Sequence, residues 1–82
     1  MTEDHFMKII GYNIKKYRLL YNKDNKKMTI TKMSKLTNLP ISYIKTLENN
    51  TSKKSISIKD LYKISRVLDI PISKFFEENN DK

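Results

Sequence analysis

Four residues close together carry short hydrogen-bonding or cationic side chains: Ser42, Lys45, Thr46 and Asn49. Placed on a helix at about 100° per residue, with Ile44 and Leu47 facing inward, Ser42 and Asn49 point almost directly outward. Lys45 and Thr46 lie on the two flanks of that outer face, and Ile41 sits at its N-terminal edge, partly turned out. A solvated helix face more often carries Glu–Lys pairs. This one is short, rich in donors and acceptors, and singly charged. Side chains of this kind reach the polar edges of bases in a groove without their own bulk intervening. A plain surface helix is the competing reading.

Around this face lie groups suited to phosphate oxygens. Thr29 stands before Ile30, where its hydroxyl can cap a helix and leave backbone N–H groups of the first turn, including that of Thr31, for an anion. Lys32 and Lys35 flank that end. Thr51, Ser52, Lys53 and Lys54 form a polar, basic stretch of the type that contacts a nucleic-acid backbone, or a plain basic loop.

Other chemistry is poorly supplied. His5 is the only histidine and cysteine is absent, so no metal site and no nucleophile–base pair can be assembled. Gly11 is the only glycine, which excludes a glycine-rich phosphate loop. No enzyme and no cofactor is expected. Met28 and Met33 read as core filler.

These residues need elements to hold them. With one glycine and two prolines, strands joined by tight turns are poorly supported. Helical spacing recurs instead. Phe6, Ile10, Ile14, Tyr17 and Tyr21 make the first stripe, with Gly11 a close-packing position inside it. Residues 22–27, "NKDNKK", read as a loop. Ile30, Met33 and Leu36 follow, ending at Asn38, a candidate left-handed stop. Pro40 opens a third helix, at its cap or first position, with Ile41, Ile44 and Leu47 as its apolar residues. Ser57 with Asp60 resembles a capping box ahead of Ile58, Leu61, Ile64, Ser65 and Leu68. After a break at Asp69-Ile70-Pro71, Ile72, Phe75 and Phe76 make a last short helix. The expectation is an all-α, compact five-helix fold forming one domain over 1–82. Its core lies within about 6–76, and 77–82 is a polar tail. The core should come from Phe6, Ile10, Ile14, Tyr17, Met33, Leu36, Ile44, Leu47, Leu61, Ile64, Leu68, Ile70 and Phe75.

The charge is distributed unevenly. The chain of 82 residues carries +8, but five of its nine acids are at the ends. From His5 to Phe76 there are sixteen Lys or Arg against four acids. Such a surface points to nucleic acid or an anionic membrane. No apolar run approaches the roughly 20 residues of a membrane span. The start, Met-Thr-Glu-Asp, has neither a basic n-region nor an apolar h-region, so no secretory signal is expected and a cytoplasmic location is.

The ordered set "MTITKMSKLTNLPISYIKTLEN" and "SIKDLYKISRVLDIPISKFF" resembles the Cro/C1-type (XRE family) helix-turn-helix domain over about residues 9–76. Within that family, "SYIKTLEN" and "SRVLDIPI" look most like the SinR-like regulators. The resemblance implies a lambda-repressor-like fold that binds operator DNA, usually as a homodimer on two half-sites. It implies base-reading positions at Ile41, Ser42, Lys45 and Thr46, and a sugar-phosphate contact from Tyr43, which as an amphipathic residue also suits partial core packing. It further implies a structural pair between Arg18 of the first helix and Glu48 closing the third. Three departures stand out: Ile30 where the family usually has a phosphate-binding Gln, Asn38 where it has Gly, and a link from Arg18 to Met28 about five residues longer than usual.

The function expected from all this is a sequence-specific double-stranded-DNA-binding transcriptional regulator, acting as a repressor. The alternative is a protein-interaction module, such as an antitoxin or a subunit that binds a protein antagonist. A membrane-surface role is weaker, because the basic residues are spread over several elements.

Overall fold

A computed structural model of the protein describes residues 3–49 and 56–78. The first apolar stripe forms α1, Glu3–Leu20. Its inner face buries Ile10 and Ile14 together with two non-apolar residues, Gly11 and Asn13. At Gly11 a Cβ would collide with the carbonyl oxygen of Leu47 and stand 3.3 Å from the carbonyl carbon. Glycine is therefore what lets the backbone of α1 lie against the third helix. Asn13 is fully buried, and its Nδ2 donates to the carbonyls of Phe75 (2.9 Å) and Glu77 (2.8 Å). An apolar residue there would leave those carbonyls unsatisfied.

Residues 22–27, expected as a loop, form an antiparallel hairpin: β1, Asn22–Lys23, and β2, Lys26–Lys27. The turn residues Asp24 and Asn25 both hold positive φ, 55° and 62°. A two-residue hairpin loop of this handedness needs left-handed backbone at both positions. Asp and Asn tolerate it better than other non-glycine residues. The scarcity of glycine was therefore no bar to a tight turn. Lys23 ties the hairpin to the end of the fourth helix through Asp69, at 2.8 Å.

Two short helices follow, α2 (Ile30–Thr37) and α3 (Ile41–Asn49). Asn38 ends α2 in the left-handed region, φ 62°, with its N–H on the Ser34 carbonyl at 2.9 Å. Ser34 Oγ donates to the Leu39 carbonyl, Leu39 is buried, and Pro40 supplies the carbonyl that accepts the first α3 bond, from Ile44. The three-residue turn is thus closed by hydrogen bonds and pinned by one apolar side chain. Helix α4, Ile58–Leu68, starts at the Ser57 cap and ends at Asp69, also left-handed at φ 58°. The N–H of Ile70 reaches the Ser65 carbonyl and that of Asp69 the Arg66 carbonyl, the paired bonds of a Schellman stop.

The expected fifth helix is a single 3₁₀ segment, Ile72–Phe76. Five residues behind Pro71 are too few to offset the cost of nucleating an α-helix, and the tighter turn suffices to bury Phe75. The five-helix expectation thus becomes, among the described residues, four α-helices, one 3₁₀ segment and a small hairpin.

One apolar cluster joins Ile10, Ile14, Met28, Met33, Leu39, Ile44, Leu47, Leu61, Ile64, Leu68 and Phe75. Of the residues expected in it, Tyr17 and Ile70 only pack against it, and Phe6 and Leu36 are exposed. Phe6 is exposed and stacks on Phe76 with ring centroids 5.8 Å apart. Leu36 is 57% exposed because Thr37 takes the inward position on α2. The Thr37 hydroxyl donates to the Met33 carbonyl at 2.7 Å and accepts from the Leu39 N–H at 3.3 Å, so the buried polar group is satisfied. Ile58 likewise faces solvent, and Tyr17 and Ile70 are only half-buried.

Candidate nucleic-acid interface

The inner side of α3 is tied to the rest of the molecule at both ends. Near its C-terminus, Glu48 meets Arg18 of α1 in a two-pronged pair: Nε to Oε2 at 2.6 Å and Nη2 to Oε1 at 2.9 Å. The side chains are 11% and 3% exposed. A carboxylate opposes the negative end of a helix dipole, so an unpaired Glu48 would destabilise α3 where it stands. The guanidinium offsets this, and its planar fork fixes the helix rotation as well as its position. Arg18 Nη1 also donates to the Met28 carbonyl at 3.2 Å, so one side chain joins α1, α3 and the exit of the hairpin. Towards the N-terminus of α3, half-buried Tyr43 donates its hydroxyl to Asp60 Oδ2 of α4 at 3.2 Å. Burial, then the charge of Asp60 and the hydrogen bond to it, push the Tyr43 hydroxyl above its ordinary pKa. Tyr43 thereby keeps its proton and remains a donor.

That contact alters the expected cap of α4. The Asp60 N–H does bond Ser57 Oγ at 3.1 Å, but the Asp60 carboxylate turns to Tyr43 instead of back to the cap residue. The capping box is half-made, and its free arm links two helices.

The outer side of α3 contrasts with this. Ser42, Lys45 and Asn49 are exposed, and among the described residues their side chains have no partner. Ile41 is 39% exposed at the edge. Thr46 is half-buried and donates its hydroxyl to the Ser42 carbonyl at 2.8 Å. Its proton is therefore engaged, and it presents oxygen lone pairs and a methyl group to anything outside.

At the start of α2, Thr29 Oγ1 accepts the Lys32 N–H at 3.0 Å, a cap worth about 1 kcal/mol. The amides of Ile30 and Thr31 lie in the first turn, outside the helix's own ladder. Thr31 and Lys35 are exposed and Lys32 is half-exposed, with no ion pair to either lysine among the described residues. Ile30 packs against the core, filling apolar space where a Gln would have offered a polar side chain. Thr51, Ser52, Lys53 and Lys54 lie outside the described residues.

Two structural side chains carry roles that the sequence does not announce: Asn13 ties α1 to the 3₁₀ segment, and Asp60 ties α4 to α3. Asn13 stands on the inner face of α1, beside Ile14, where a polar residue marks a buried carbonyl to be satisfied. Asp60 was read as a capping partner alone. Among the described residues no cluster of three His, Cys, Asp or Glu could hold a metal ion, and no helix is long and apolar enough to cross a membrane.

A family model described as Helix-turn-helix matches residues 14–75. No curated protein and no solved structure matches the chain. The family match begins at Ile14 in the core of α1, takes in the Arg18–Glu48 pair and the α2–turn–α3 unit, and ends at Phe75. The chain belongs to the Cro/C1-type (XRE) helix-turn-helix family.

Proposed function

We propose that the protein is a sequence-specific regulator of transcription that binds double-stranded DNA as a single domain over 1–82, and acts as a repressor by occupying its operator. Helix α3 lies in the major groove, where Ile41, Ser42, Lys45, Thr46 and Asn49 face the base edges, with Thr46 serving as acceptor and methyl contact. Thr29, Thr31, Lys32, Lys35, Thr51, Ser52, Lys53 and Lys54 contact phosphates, and Tyr43, whose hydroxyl proton is engaged by Asp60, meets the sugar-phosphate backbone through its ring. The single observation that carries this reading is the outward face of α3. Ser42, Lys45 and Asn49 are exposed, with no side-chain partner among the described residues, on a helix whose opposite side is fixed by a buried ion pair. Operator binding as a homodimer is part of the proposal. The stacked Phe6 and Phe76, with exposed Ile58 beside them on one apolar groove, supply a surface for the second copy. We place the protein among the SinR-like regulators and in the cytoplasm.

One observation favours the protein-interaction reading. Tyr12, Leu19 and Leu20 are more than half exposed and line a groove on α1 with Lys8 and Lys15. A titration with random-sequence duplex across salt concentration separates the two readings. The regulator binds at low salt, with log K falling linearly against log[salt]. Lys32→Ala with Lys35→Ala weakens every sequence alike and flattens that slope by roughly one to two. A wild-type chain that binds no duplex at low salt supports the protein-interaction module instead.

A further inference from the structure

The hairpin carries Lys23, Lys26 and Lys27 in six residues, and its exit runs straight into the Thr29 cap of α2. These lysines are not equivalent. Side chains alternate faces along a strand, and cross-strand partners share one. Lys23 pairs with Lys26 in the ladder, and Lys23 reaches back to Asp69 at the end of α4. Lys26 therefore shares the side that looks toward α4, at its rim. Met28, two residues on and buried, continues that inward side. Lys27, with Asn22 opposite, projects from the other side. Both Lys26 and Lys27 are exposed and make no ion pair among the described residues.

The hairpin is also held in place. Two strands of two residues each are marginal alone. Here buried Met28, with its carbonyl on Arg18, fixes the exit of β2, and the exposed Lys23–Asp69 pair adds a weak tie on β1. Two residues of extended chain span at most about 7 Å. Lys27 consequently lies close to the start of α2. Edge protection by lysine is a competing use of such residues, and it predicts no ligand.

We infer that Lys27 forms an accessory contact to the phosphodiester backbone of the DNA, on base pairs flanking those under α2 and α3. The inference rests on the DNA-binding reading above and adds a site to it. The hairpin works as a small basic wing that lengthens the footprint without reading bases. Its contribution is electrostatic, so it acts on every sequence equally and fades with salt.

The test uses the full chain and two duplexes of one selected operator, one short and one extended by a helical turn on each side. Fluorescence anisotropy is followed across salt for wild type, for Lys27→Ala, for Lys27→Arg and for Lys26→Ala. Lys27→Ala should lower the salt slope by about one on the extended duplex and leave it unchanged on the short one, and Lys26→Ala should change neither. The ranking of operator variants should not move, and Lys27→Arg should keep the wild-type slope. A matching thermal unfolding midpoint separates this from loss of fold. An unchanged slope on the extended duplex, with wild type binding normally, overturns the hairpin contact alone. Wild type that binds neither duplex at low salt overturns the DNA reading and this inference together.

Discussion

The two sides of α3 solve opposite problems. The inner side is specified by contacts that leave no freedom: Ile44 and Leu47 in the core, Glu48 clamped by Arg18, and a backbone approach that only Gly11 permits. The outer side has almost no intramolecular obligation; Ser42, Lys45 and Asn49 are exposed. Free hydrogen-bonding groups are useful for recognition only when their positions are predictable. The rigidity behind α3 makes the groups in front a template instead of a set of mobile tips. The difference teaches that affinity for a fold and affinity for a partner can be separated by substitution on one nine-residue helix.

The comparison breaks hardest at Glu48. Glu48→Ala leaves the Arg18 guanidinium largely buried without its counter-charge and should cost about 3–5 kcal/mol of stability. Chemical denaturation checks this, and binding falls only because the fold does. A loss below about 1 kcal/mol would mean that water satisfies Arg18 and that α3 is not held by the pair. Next comes Gly11→Ala. The added methyl meets the Leu47 carbonyl, so α1 and α3 must separate, at a cost of about 1–3 kcal/mol. In an exposed helix the same change would stabilise by about 1 kcal/mol. The sign of the measured change therefore decides between close packing and mere tolerance.

Much of the fold was legible in the chain because much of it is set locally. Thr29, Asn38, Pro40 and Ser57 mark helix ends through each residue's own backbone preference or hydroxyl, and Asp69 stands at a break that the following Pro71 announces. The spacing of Ile10 and Ile14, of Ile44 and Leu47, and of Leu61, Ile64 and Leu68 sets an inward direction without knowledge of the partner. What stayed hidden depends on neighbours. Whether Leu36 or Thr37 turns inward on α2 is decided by the turn that Thr37 closes, and whether Phe6 is covered is decided by where Phe76 ends. Asn13 makes sense only once the carbonyls of Phe75, in the 3₁₀ segment, and of Glu77, just past it, arrive above it. The hairpin was missed for a different reason: its turn uses Asp24 and Asn25 where glycine is the stronger signal. At the candidate site, the outward direction of Ser42 and Asn49 follows from the helix period. The bond from Thr46 to the Ser42 carbonyl, the half-capped start of α4 and the contact of Tyr43 with Asp60 do not.

The most direct measurement is base discrimination by the outer face alone. An operator is selected from a randomised duplex pool. Wild type and the Ser42→Ala, Asn49→Ala double variant are then titrated with it, with every single base-pair change in it, and with random duplex. The double variant should keep its fold and its affinity and salt slope on random duplex, and lose about 1–3 kcal/mol of discrimination at one or two operator positions only. Equal weakening on operator and random duplex, or discrimination that survives intact, would contradict the claim that α3 reads sequence.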